Sequence, residues 1–248
     1  MRGILAVVLT LVLAGCLSEP APALRPDPWS NPFLRPGVTV RIQVDYVEGR
    51  MPSEYATDGL LQVMADVGTP GSIEMHGTLP ARGATYTTAV LVDIHRATYT
   101  GNPVTWRDEA GTPVLQVLYV DANYTIEAAR GVAPDGFPLI AIFPDQLTNL
   151  GLFVASTQVP AALPEGFERA ILVHEYGHVL GLVGCGLPEV RAHQGEPCHS
   201  GQTSSVMLPS LHQSSDLKTW ALDDERQPVW RFDADDWADI RAGQALLA

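Results

Sequence analysis

The pattern of apolar and polar residues along the chain predicts an α/β domain. Val38, Val40, Ile42 and Val44 alternate with polar neighbours over residues 38–47, as in a half-buried strand. Pro52, Ser53 and Glu54 open a helical stretch in which Leu60, Val63, Met64 and Val67 recur at helical spacing. Gly68 and the Pro70-Gly71 pair stop it. Residues 73–79 read as a strand, and residues 87–99 as a helix, because their apolar positions do not alternate cleanly. Residues 114–120 are rich in β-formers between Pro113 and Asp121, which predicts a central strand. Residues 139–143 form a short strand between Pro138 and Pro144, and the flanking prolines suggest a sheet edge.

A longer helix is expected over residues 165–183. Leu172, Tyr176, Val179 and Val183 give it a core stripe, while His174 and His178 lie off that stripe and can face a cleft. Gly181 and Gly184 then let the backbone turn. Asp233 is a plausible N-cap for a closing helix over residues 232–247, whose first turn is acidic. The order of elements implies an α/β (α+β) fold with a mixed twisted sheet.

Composition narrows the function. With 46% hydrophobic and 17% charged residues in 248, the chain is that of a folded protein with a substantial core. The formal net charge of −13 and the lack of a Lys/Arg stripe argue against nucleic-acid binding. Arg2, an apolar run over residues 4–13 and the sequence Leu13-Ala14-Gly15-Cys16 read as a targeting segment too short to span a bilayer. That ending resembles the bacterial lipobox, which implies a lipoprotein signal peptide over residues 1–15 and a lipid on Cys16. An ordinary cleaved signal peptide is the alternative. Six prolines from Pro20 to Pro36 make residues 16–37 an extended tether. Residues 38–248 are then one domain, expected to be monomeric and held at the cell envelope outside the cytoplasm.

Cys185 and Cys198 are the two remaining cysteines. In an oxidising compartment they are expected to pair, with free thiols or zinc ligation by Cys185 as alternatives.

The chemistry is concentrated in His174-Glu175-Tyr176-Gly177-His178. On a helix, residues four apart share a face, so the two histidines can hold one metal ion with Glu175 beside it. A catalytic zinc needs a third protein ligand and a water. Here the sequence resembles the metzincin zinc peptidases, whose pattern HExxHxxGxxH is followed by a methionine turn. His174, Glu175, His178 and Gly181 match, but residue 184 is glycine where the third histidine belongs.

The archaemetzincin branch follows its third histidine with Cys, four residues, Cys, one residue and Met. His199 is followed by Ser200, Ser205 and Met207 at the same spacing, both cysteines being replaced by serine. Ser210 and the Asp216–Lys218 pair extend the similarity. Residues 184–198 are accordingly an insertion and His199 the displaced third ligand, with His193 as the alternative. The resemblance implies peptide hydrolysis by a zinc-activated water with Glu175 as general base and Met207 as a structural floor. It also implies a peptide or protein substrate extended along an exposed strand edge, for which residues 139–143 are the candidate. A zinc-binding surface lipoprotein without catalysis is the competing reading. A gluzincin-type third ligand is disfavoured, since Glu189 and Glu196 lie in a loop segment.

Overall fold

The computed structural model describes residues 31–125, 129–147, 163–202, 204–208 and 231–247. The expectations placed on Cys16, most of the tether, Ser210, Asp216 and Lys218 lie outside these residues.

A five-stranded mixed sheet is the frame. Its strands are β1 (Val40–Val47), β2 (Gly71–Leu79), β3 (Val114–Tyr119), β4 (Gly131–Val132) and β5 (Leu139–Ile142), in the order β2-β1-β3-β5-β4. All neighbours are parallel except β4, which runs antiparallel to β5. Helices α1 (Glu54–Val67), α2 (Thr88–Thr98), α3 (Leu163–Leu180) and α4 (Ala234–Leu247) complete the described elements used below. A small hairpin of β6 (Gln194–Glu196) and β7 (His199–Ser200) stands apart from the main sheet.

Local chemistry sets the helix ends. The Ser53 side chain accepts a hydrogen bond from the Ala56 amide, and Gly68 closes α1 in the left-handed conformation at φ 88°. Thr87 caps α2 in the same way through the Val90 amide. The Asp233 carboxylate accepts from the amides of Asp235 and Asp236 at the start of α4. The metal helix α3 ends at Leu180, three residues before the predicted stop, because Gly181 turns left-handed at φ 85°.

Two apolar layers sandwich the sheet. On one face, Ile42, Val44, Leu115, Val117, Ile140 and Ile142 pack with α1 and α3 residues such as Leu60, Met64, Leu172 and Tyr176. On the other, Leu118, Leu139, Ala141 and Phe143 pack with Leu91 of α2. Covered faces explain two departures from the sequence reading. β1 is buried almost throughout rather than half-buried, since its polar residues Gln43 and Asp45 are also covered. They bond to one another and to Gln116, so their burial is compensated. The second departure concerns residues 139–143. This strand is not an edge: β5 lies between β3 and β4, and Leu139 to Ile142 are fully buried. Pro138 takes part in the ladder through its carbonyl, which accepts from the Gln116 amide at 2.8 Å and needs no amide hydrogen of its own, so the flanking prolines delimit the strand without exposing it. The edge on that side is β4.

Candidate metal centre

His174 and His178 project from one face of α3, one turn apart, with their Nε2 atoms 3.1 Å from each other. His199, at the start of β7, brings its ring to 5.3 Å from that of His174 and 4.9 Å from that of His178, centroid to centroid. One nitrogen from each of the three rings lies within 4.8 Å of the others. His193, the alternative third ligand, is elsewhere. Its ring faces Asp236 and Asp239 of α4.

Hydrogen bonds fix how two of the rings present themselves. His174 Nδ1 donates to the Val206 carbonyl at 2.7 Å, and His199 Nδ1 donates to the Pro197 carbonyl at 2.9 Å. A carbonyl only accepts, so the proton resides on Nδ1 and the lone pair on Nε2. Burial, together with the neighbouring rings of His174 and His199, holds His178 well below the ordinary histidine pKa. His199 is also lowered, burial being the dominant cause. Neutral imidazoles with second-sphere carbonyls are what zinc ligation requires. The 3.1 Å spacing is also near the roughly 3.3 Å ligand–ligand edge of a tetrahedron with Zn–N bonds of about 2.0–2.1 Å. The cluster fits Zn2+ in donor type and spacing, and in tautomer at His174 and His199.

Glu175 faces the sheet edge at β4. A Cβ on Gly131 of β4 would stand 2.8 Å from both Cγ and Oε1 of Glu175. Burial pushes the Glu175 carboxyl up to about 8, against a hydrogen bond from the Ala133 backbone that lowers it. A cleft beside His178 is walled by residues 133–137 on one side and by Val179, Leu180 and Gly181 on the other.

Met207 is fully buried, and its sulfur occupies the space where a side chain on Gly177 would begin. The two carbonyls around it organise the ligands. That of Val206 orients His174, and that of Met207 accepts from Ser200, the residue after His199, at 2.9 Å. Ser205 accepts from the Met207 amide at 2.9 Å and donates to Asp236 at 2.6 Å. Cys185 and Cys198 are joined in a disulfide with Cα atoms 5.0 Å apart. The bond ties the end of the inserted loop, one residue before His199, to the turn that follows α3.

Sequence reasoning did not find β4, whose two residues carry no periodicity. Nor did it find the partners of His193, which lie over forty positions away in a helix read only for its cap.

Comparisons with known proteins bear on the fold. No protein-family model matches the chain, and no curated protein matches it. Two solved structures resemble it. One is a zinc-dependent peptidase from Methanocorpusculum labreanum, with TM-score 0.50 and 16% identity, covering 80% of this chain and 99% of that one. The other is archaemetzincin from Methanopyrus kandleri, with TM-score 0.51 and 17% identity, covering 85% of this chain and 97% of that one. The chain therefore has the mixed α/β fold of these zincin-like metallopeptidases, with a three-histidine cluster that fits zinc.

Proposed function

We propose that the protein is a zinc-dependent peptidase whose ligands are His174, His178 and His199. The observation that carries this reading is the convergence of three histidines from α3 and β7, with Glu175 of the same helix turned toward the antiparallel edge strand. Bound zinc supplies a Lewis acid that polarises a scissile carbonyl and lowers the pKa of water.

The protein's own groups supply the rest. Glu175 acts as general base, accepting a proton from the attacking water and delivering it to the departing amine. Burial raises its pKa in the metal-free protein, and the charge of a bound zinc would draw it back toward the ionised form a base needs. An extended peptide is read along β4, the edge strand beside Glu175, by main-chain hydrogen bonds. Residues 133–137 and the turn after α3 bound the cleft into which a substrate side chain would pass. A lipid on Cys16 and the proline-bearing tether would hold this domain at the cell envelope.

The test is zinc stoichiometry and peptide-library cleavage for the wild type, Glu175→Gln and His199→Ala. One zinc in the wild type and in Glu175→Gln, with turnover only in the former, supports the reading. Zinc retained by the wild type with no turnover on any peptide would leave a zinc-binding lipoprotein in its place.

A further inference from the structure

His193, Asp236 and Asp239 meet in a pocket of their own. All three side chains are fully buried. The Nε2 atom of His193 lies 3.3 Å from Asp236 Oδ1 and 3.8 Å from Asp239 Oδ2, and these three atoms have no hydrogen-bond partner among the described residues. Each carboxylate uses its other oxygen elsewhere. Asp236 Oδ2 accepts from Ser205 Oγ and the Asp233 amide, and Asp239 Oδ1 accepts from the Val190 amide. On the far side of the ring, Nδ1 donates to the Arg191 carbonyl at 2.8 Å. With both carboxyls ionised, the two ring nitrogens face acceptors alone. A neutral imidazole would set a lone pair against one of them, so the arrangement calls for a doubly protonated ring.

We propose that His193, as a buried imidazolium between Asp236 and Asp239, is a proton-dependent positioning group for the metal site. It acts through two connections. The His193 carbonyl accepts from the Gly201 amide at 2.8 Å, just beyond the strand that carries His199. Asp236 reaches through Ser205 to the Met207 amide, in the turn whose carbonyls hold His174 and Ser200. With the ring charged, the inserted loop, the methionine turn and α4 are held as one unit. When the proton leaves, two buried carboxylates lose their counter-charge and that unit loosens.

Other ionisable groups around the ring favour the same charge state or leave it unchanged. Glu189 lies 3.4 Å from Nδ1 on the same loop, while Arg191 is directed outward to Asp235. Burial disfavours the charged ring, but the Arg191 carbonyl and the carboxylates of Asp239, Asp236 and Glu189 outweigh it, so its pKa is raised. Burial raises both aspartates as well. The cluster therefore binds protons more tightly than its members do in the unfolded chain.

This inference rests on the zinc reading of the three-histidine cluster, and its test needs no peptidase activity. Ring-nitrogen NMR of the 15N-histidine-labelled, zinc-loaded full chain should show His193 protonated on both nitrogens at neutral pH. Zinc release to excess chelator should accelerate above neutrality, as that signal titrates. Asp236→Asn, Asp239→Asn and His193→Gln should each release zinc roughly tenfold faster and lose the alkaline acceleration. A neutral His193 ring at neutral pH would overturn the proposal without any variant needing to fold. So would zinc release indifferent to these substitutions, or a second zinc lost in His193→Gln, which would make the cluster a metal site. Zinc held and released as described, but with no peptide cut, would overturn the peptidase reading alone.

Discussion

The sulfur of Met207 lies against the backbone of Gly177, in the place a β-carbon would fill. Gly177 is the fourth residue of the His-Glu-Tyr-Gly-His string, so the methionine turn packs on the helix turn that presents both histidines. On an open helix face, glycine to alanine would stabilise by about 0.5–1 kcal/mol. Here the new methyl meets a fully buried side chain, and overpacking costs about 1–3 kcal/mol. Gly177→Ala should therefore lower the unfolding free energy and weaken zinc binding. Adding Met207→Ala should recover part of the zinc affinity by giving the methyl room; calorimetry and zinc titration of the pair check this.

Gly131 stands to Glu175 as Gly177 stands to Met207. A β-carbon there would come within 2.6 Å of Ile171 Cγ2 and 2.8 Å of Glu175 Oε1. Gly131→Ala should push the carboxylate off its station while leaving the histidines alone. Displacements of about 1 Å at a catalytic group can cost on the order of 10²-fold in rate. The expected outcome is a comparable fall in kcat with one zinc still bound. An unchanged kcat would separate Glu175 from the proton transfer.

The buried carboxyl of Glu175 also makes the metal-free protein sensitive to pH. Its folded pKa is raised from 4.5 to about 8, with burial as the cause. A raised folded pKa means that the native state keeps a proton that the unfolded state gives up. The group's contribution to stability is whole below about pH 4.5, declines as pH rises, and levels off above about pH 8. Glu175→Gln removes the titration. The stability difference between the metal-free variant and wild type should grow in favour of the variant across that window and then flatten, as measured by denaturant unfolding at successive pH values.

The disulfide between Cys185 and Cys198 closes a loop of sequence separation 13 immediately before His199. Loop-closure arguments assign about 3 kcal/mol to a bridge of this length. Cys185→Ser with Cys198→Ser should cost a similar amount in unfolding free energy. It should also lower zinc affinity, because His199 would lose the covalent tie beside it and keep the β6–β7 hairpin, its bond to the Pro197 carbonyl and the neighbouring bond of Ser200 to Met207. Zinc affinity unchanged after reduction with a non-chelating phosphine would show that these contacts suffice.

Sequence and structure divide the protein along physical lines. Periodicity made α1 legible and the Asp233 cap α4, whereas α2 was read only from its lack of alternation; the caps at Ser53, Thr87 and Asp233 act on amides two or three residues away. The spacing of His174 and His178 was equally local, being a property of any α-helix. By itself, then, the sequence determined the mixed α/β character, the pair of histidines on α3 and the short list of residues able to join them. It did not rank strands within the sheet. Leu139 to Ile142 became interior because Gly131 and Val132 fold back beside them, a pairing set by distant contacts rather than by the prolines at hand. Spacing to Met207 favoured His199 over His193, six positions before it, but left the latter as an alternative. Only the tertiary structure decided that His199 meets the zinc helix while His193 meets two aspartates of α4. The physical reason is that three neutral rings can gather on a metal, whereas a ring set between two carboxyls is suited to holding a second proton, and each environment is assembled from elements far apart in the chain.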